Sequence, residues 1–454
     1  MADALAQATM TDTRWRIAKP REWSALQNWL LVWVVFANAG FALTYLFGSP
    51  PRYPEILIFG VVGLLVRNRA YLLQCCAFIA VMGYSVLSFI AGLFNLAIVS
   101  LAHSLVFFAE LDVGQSLEYI LGGIVLTGLM AGACIAMRRP TAFQSNAMTI
   151  LAASAVLALA VFDLYMGMGM RGHYNRVANE DTPFASAISQ SGAAPLSGPI
   201  DRHLVVVMVE SLGVPEDNEE MNSLLFARYD ADDISSRFDI ERGTTTYYSS
   251  TTSGEIRELC GRWGEYFELT TKRDETCLPA RLARVGVETT AYHSFKATFF
   301  DRHLWYPNIG FQKTSFREDL VEQGAARCGG VFPGACDRDV PAQIAEHLKR
   351  AEKPQFLYWL TLNSHLPVPI GGNLEVENCE RVSDKLARDY PMICRQFAIW
   401  DAIDEALVAQ IVQDDFPPTD ILIVGDHMPP YFDRHNRTQF AADRVPWLLL
   451  KWRN

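Results

Sequence analysis

Five apolar runs crowd the first 168 residues of this 454-residue chain, and its apolar excess is concentrated there. They cover about 25–47, 54–66, 71–92, 117–137 and 147–168. Four are near the length of a bilayer-spanning helix, about 20 residues, and the second is marginal. Basic residues punctuate them: Arg14, Arg16, Lys19 and Arg21 precede the first, Arg67 and Arg69 follow the second, and Arg138 and Arg139 follow the fourth. Cationic flanks stay on the cytoplasmic side. The stretch 93–112, FNLAIVSLAHSLVFFAELDV, then begins and ends outside and is expected to lie at the interface as an amphipathic or re-entrant helix. No small-residue cleavage site follows the first run, so it is expected to remain as an anchor.

The expected organisation is a helical membrane domain over 1–168, a small-residue polar linker over 169–200, and an extracytoplasmic domain over 201–454. Net charge is −11 and no basic face is evident, which argues against a nucleic-acid partner. Cys75, Cys76 and Cys134 fall in apolar runs, whereas Cys260, Cys277, Cys328, Cys336, Cys379 and Cys394 fall in the exported part. An even count outside the cytoplasm implies disulfides. Sequential pairing, 260–277, 328–336 and 379–394, closes the shortest loops among 15 possible connectivities.

Beyond residue 200 the pattern alternates. HLVVVMVES (203–211), VETTAYHS (287–294), QFLYWLTLN (355–363) and DILIVGDH (420–427) are apolar runs of strand length. Runs of helical period lie between them, including 278–285, 338–350 and 394–413. Near-uniformly apolar strands alternating with helices predict an α/β domain with a mostly parallel sheet covered on both faces. Ligands of such sheets bind beyond the carboxyl ends of the strands. The strand exits carry Glu210, His293, His365 and Asp426-His427.

A fifth exit lies in GTTTYYSSTTSGEIRELCG (243–261), where a β-rich run breaks into a short helix. Ile256 and Leu259 are expected inward, and Glu255, Arg257 and Glu258 outward. Thr252 or Ser253 can serve as a helix cap there, helped by Glu255 or Glu258. Thr251 has a different reading. Glu210, Asp426 and His427 supply hard oxygen and imidazole ligands for one divalent metal, with the Thr251 oxygen as a fourth. Coordination lowers the pKa of a hydroxyl and makes it nucleophilic. The set suits Mn²⁺ or Mg²⁺ and admits Zn²⁺. His293, Arg302 and His365 can hold phosphodiester oxygens and protonate a leaving group.

The ordered motifs VVVMVESLG, TTSGEIRELCG, LPARLARVGVETTAYHS, FFDR, NSHLPV and IVGDH resemble the alkaline-phosphatase superfamily. The likeness is to its membrane-anchored lipoteichoic acid synthase and phosphoglycerol transferase branch, and it spans roughly 203–450. It implies metal ligation by Glu210, Asp426 and His427, a nucleophile at Thr251 with Thr252 as runner-up, and a substrate pocket with His293, Arg302 and His365. Phe300 stands where the branch has tryptophan, and Phe295 where it has an acidic residue. The resemblance implies a bacterial inner-membrane enzyme with a periplasmic catalytic domain. That enzyme would move phosphoglycerol from phosphatidylglycerol to a glycan or glycolipid through a phospho-threonine. The alternatives are phosphoethanolamine transfer to lipid A or a glycan, phosphodiesterase action, and a non-catalytic sensor. A sulfatase is a further one, because Cys277-Leu278-Pro279-Ala280-Arg281 matches the C-x-P-x-R core whose cysteine becomes formylglycine.

Overall fold

The computed structural model describes residues 20–42, 49–105, 117–167, 170, 172–179, 181–195 and 198–453. The chain forms two compact units, one of Met1–Leu46, Pro51–Leu87 and Leu121–Gly169, the other of Phe47–Pro50, Ser88–Ile120 and Met170–Asn454.

The first unit is helical. Three helices, Pro20–Ala42, Tyr71–Leu93 and Asn146–Met166, are long and apolar enough to cross a membrane, while Tyr53–Val66 and Ile120–Ala136 are apolar but shorter. A five-span bundle therefore remains an expectation. Buried Trp29, Trp33, Phe59 and Phe78 fill the interior. Trp33 meets Phe78 edge-on at 5.5 Å. A buried charge in such a unit needs partners, and Arg52 has them. Its Nη2 donates to Ser85 Oγ at 2.7 Å, Nη1 to Asn38 Oδ1 at 3.3 Å, and its backbone N–H to Asp163 Oδ2 at 2.6 Å.

Among the described residues the second unit holds nine strands: β1 His203–Val209, β2 Phe238–Thr246, β3 Glu288–His293, β4 Lys313–Ser315, β5 Arg327–Cys328, β6 Gly334–Ala335, β7 Gln355–Leu360, β8 Thr419–Gly425 and β9 Arg444–Trp452. Seven form one sheet in the order β2-β9-β8-β1-β7-β3-β4, and β5 pairs with β6 in a small hairpin. β8, β1, β7, β3 and β4 run parallel. β9 is antiparallel to β8 and to β2, so β2 at the edge points the same way as the parallel strands; the sequence pattern shows neither strand apart from the TTT end of β2.

Every residue of β1 is buried, which is why its sequence shows no polar alternation. Val205, Val207 and Val209 face one core with Val340, Ile344, Ile393 and Phe397 from the helices Val340–Arg350 and Pro391–Ile411. Leu204, Val206 and Met208 face the other with Ile256, Leu259, Leu278 and Trp305. Each such side chain contributes about 1.5–3 kcal/mol by leaving water, so the central strand anchors both layers.

The three expected disulfides are present as Cys260–Cys277, Cys328–Cys336 and Cys379–Cys394. Within the stretch read as a linker, the helix Ala187–Ser191 is held by Glu258, whose carboxylate accepts the N–H groups of Ala187 and Ile188 at 3.1 and 2.9 Å. Within the stretch read as interfacial, residues Ile98–Ser104 are helical and belong to the second unit. Residues 106–112 of that stretch lie outside the described residues.

Candidate active site

β1 and β8 pair in register up to Val209↔Gly425, so the next residues, Glu210 and Asp426, leave the sheet side by side. The helix Thr251–Cys260 brings Thr251 to the same edge. Gly254 makes that approach possible: a β-carbon there would stand 3.2 Å from the Asp426 backbone. Thr251 Oγ1 donates to Glu210 Oε2 at 3.1 Å and lies 3.3 Å from His427 Nε2. His427 Nε2 is 3.6 Å from Glu210 Oε1 and 3.4 Å from Asp426 Oδ2.

One ligand atom each from Glu210, Asp426 and His427 falls within 4.8 Å of the others. Asp426 Oδ1 accepts the N–H groups of Ser211 and His427 at 2.7 and 2.6 Å, but Oδ2 is buried without a hydrogen-bond donor. Burial, and then the Glu210 carboxylate beside it, pushes the Asp426 carboxyl up to about 7. Two carboxylates crowded together, one with an orphaned oxygen, fit a divalent cation. His427 turns Nδ1 to Met428 O at 2.9 Å, which leaves Nε2 facing the two carboxylates.

The cap reading of this helix is not realised. Ser250 is the N-cap residue and makes no side-chain cap. The first helical N–H groups therefore receive no side-chain cap from Ser250, and the start of such a helix can receive a phosphate oxygen. The expected outward face is also corrected. Glu255, Arg257 and Glu258 are all buried. Arg257 donates from Nε to Glu258 at 2.6 Å, from Nη1 to Asp426 O at 3.1 Å and from Nη2 to Gly425 O at 2.7 Å, which pins the end of β8. These charges sit inside because each carries a partner; periodicity alone cannot report a buried ion pair.

Arg302 is placed differently from the sequence expectation. It donates from Nη2 and Nε to Glu255 Oε2 at 2.8 and 3.1 Å and from Nη1 to Phe299 O at 3.1 Å. Tyr306 and Tyr358 bond the other oxygen of Glu255 at 2.5 and 3.2 Å. The guanidinium thus stands within a buried network under the helix Thr251–Cys260. His293 is buried and turns Nδ1 to Leu360 O at 3.2 Å; its Nε2 has no hydrogen-bond partner. Burial and the Arg302 charge hold it well below the usual histidine range, and burial pushes His365 down to about 4. Desolvation disfavours the charged imidazolium at both positions. Phe295, Phe299 and Leu362 form an apolar cluster that Phe300 and Phe332 extend. Phe332 packs edge-on against His365 at 4.7 Å.

Two supporting residues were not read from the sequence. Buried Asp337 accepts from Ser294 Oγ at 2.5 Å and from the N–H groups of Leu362 and Asn363 at 2.9 and 2.6 Å, which fixes the loop that carries His365. Glu265 Oε1 accepts from Ser249 and Ser253, each at 3.4 Å, beside the start of the helix Thr251–Cys260. A lone carboxylate within the apolar run WGEYF was the available signal.

A family model described as Sulfatase matches residues 202–450, more than half of the chain. The chain belongs to the sulfatase family. Membership does not extend to formylglycine chemistry: Cys277, the cysteine of the C-x-P-x-R match, is tied to Cys260. Solved structures similar to this sulfatase-family chain include the lipoteichoic acid synthase LtaP from Listeria monocytogenes, with 16% identity, TM-score 0.42, and coverage of 55% of this chain and 65% of that one. The Streptococcus pyogenes phosphoglycerol transferase GacH in complex with sn-glycerol-1-phosphate is 18% identical, with TM-score 0.38 and coverage of 55% and 68%. The lipooligosaccharide phosphoethanolamine transferase EptA from Neisseria meningitidis is 12% identical, with TM-score 0.44 and coverage of 95% and 88%. The match to LtaP spans less than two thirds of that protein's length. No curated protein sequence matches the chain.

Proposed function

We propose that this chain is a metal-dependent phosphotransferase of the bacterial inner membrane. It moves a phosphoglycerol group from phosphatidylglycerol to a glycan or glycolipid acceptor through a phospho-Thr251 intermediate, with the catalytic domain outside the cytoplasm. The observation that carries the reading is Thr251 Oγ1 itself. It lies within 3.3 Å of both Glu210 and His427, at the uncapped start of a helix.

Glu210, Asp426, His427 and Thr251 would hold one divalent ion, Mn²⁺ or Mg²⁺ by the oxygen-rich donor set, with Zn²⁺ also admitted. When bound, the ion lowers the pKa of a coordinated hydroxyl and neutralises phosphoryl charge. In the first step a bond forms from Thr251 Oγ to phosphorus while the ester bond to diacylglycerol breaks. The proton that Thr251 loses is balanced by the one the departing glycerol oxygen gains. In the second step an acceptor hydroxyl bonds to phosphorus, the bond to Thr251 breaks, and the proton returns to Thr251. His293 and His365 would accept hydrogen bonds from hydroxyl groups of the head group. Arg302 acts through Glu255 to hold the nucleophile helix. A phosphoglycerol group carries two hydroxyl donors that suit the free Nε2 of His293.

Incubation of the purified chain with phosphatidylglycerol and no acceptor tests the reading. A glycerophosphoryl mass on the peptide containing Thr251 is expected. An adduct only from phosphatidylethanolamine would keep the intermediate and move the donor to phosphoethanolamine. An unchanged peptide with undiminished lipid turnover would remove the mechanism.

A further inference from the structure

After the nucleophile helix the chain reverses at Gly261, whose φ is +63°, and brings Trp263 against Tyr248 and Glu265 against Ser249 and Ser253, at the start of that helix. Trp263 packs edge-on against Tyr248 at 5.0 Å and against Phe184 at 5.2 Å, and its indole N–H donates to Pro183 O at 3.3 Å. Arg176 lies 4.7 Å over the Tyr248 ring. Phe184 is 39% exposed and Tyr248 and Trp263 are partly so, which makes this an aromatic surface open on one side.

Two relationships tie that surface to the reaction. Tyr248 is three residues before Thr251, so their α-carbons stand at most roughly 11 Å apart, about two sugar rings. Glu265 reaches Ser249 and Ser253, the residues that bracket Thr251. Among the described residues its side-chain partners are hydroxyls, Ser100 being the third. The two bonds to Ser249 and Ser253 are near the limit of hydrogen-bond length. A carboxylate has about four acceptor positions, and these hydroxyls orient it.

We infer that Tyr248, Trp263, Phe184 and Glu265 form the subsite for a neutral sugar ring of the acceptor. The inference rests on the phosphotransferase reading and names the acceptor's chemistry. Aromatic rings cover the apolar C–H face of a pyranose, and a carboxylate accepts from its hydroxyls. A lipid surface fits less well, since it offers anionic head groups to Glu265.

Saturation-transfer NMR with the full chain in detergent micelles tests this, with cellotetraose, laminaritetraose and chitotetraose as probes. At least one should bind the wild type. Trp263→Ala should weaken that binding about tenfold, the effect of one lost ring contact. Glu265→Gln should weaken it less, and Trp263→Phe should restore most of it. Phe184→Ala, at an exposed position, should also weaken binding and guards against a misfolded Trp263 variant. No binding by the wild type, or equal binding by Trp263→Ala and Phe184→Ala, overturns the proposal. So does loss of flotation with phosphatidylcholine vesicles by these variants with sugar binding unchanged, which would assign the surface to lipid. The readout is binding, so an absent Thr251 adduct would sink the donor reading and leave this one standing.

Discussion

Arg302 binds one oxygen of Glu255 twice, at 2.8 and 3.1 Å, and both side chains are buried directly behind the nucleophile helix. The pair converts two charges that the sequence shows as surface-like into a fixed support for Thr251. Removing one partner leaves the other charged and dry. Arg302→Ala should therefore destabilise the domain by about 3–5 kcal/mol. Glu255→Gln, which keeps an acceptor for Tyr306 and Tyr358, should cost less. Chemical denaturation of both variants checks the order; equal stability of Arg302→Ala and wild type would show that the pair bears no load.

Asp426→Asn retains shape and removes one charge from the candidate metal site. Among the described residues Asp426 Oδ2 has no hydrogen-bond donor, the arrangement on which the proposed cation site rests. Metal content measured by elemental analysis should fall sharply, together with turnover. Full metal occupancy in the variant would disconnect this residue from ligation.

Thr251→Ala should carry no covalent adduct after exposure to phosphatidylglycerol, whereas Thr252→Ala should still carry one. The two hydroxyls are adjacent in sequence, but only Thr251 is within 3.3 Å of Glu210 and His427. Peptide mass mapping separates them, and an adduct on Thr252 would shift the nucleophile by one position.

Asp337 gives a pH signature. Burial raises its carboxyl from 3.8 to about 6 in the folded chain. The folded state thus binds the proton more tightly than the unfolded one. The stability from this group is complete below about pH 4 and is lost as pH rises through about 6, up to ~3 kcal/mol. Asp337→Asn keeps an acceptor for the N–H groups of Leu362 and Asn363 and removes the ionisation. The melting temperature of the variant relative to wild type should be higher at pH 8 than at pH 5. A pH-independent difference would contradict the shift.

Oxidation state is checked by counting thiols. Three disulfides and three free cysteines predict three alkylated residues in the denatured chain without reductant, and nine with it. Nine without reductant would argue against export of the domain.

The amino-acid pattern alone determined a good deal here. Continuous apolar strands marked the parallel core, because strands covered on both faces have no polar side. The residues after those strands marked Glu210, Asp426 and His427, because chain ends at a sheet edge are where backbone geometry gathers side chains. Loop length favoured the disulfide pairs that the structure contains. Other features were decided only by tertiary structure. Whether Glu255, Arg257 and Glu258 faced water or the core depended on partners more than 40 residues away in Arg302 and Asp426. The antiparallel β9 was invisible because its partners, β8 and β2, lie on either side of it only after folding. The protonation of His293 followed from burial beside Arg302, and the surface of Tyr248, Trp263 and Phe184 from a chain reversal. Sequence records local period and residue chemistry; desolvation and charge pairing are properties of the folded neighbourhood, and these set which groups carry charge at the site.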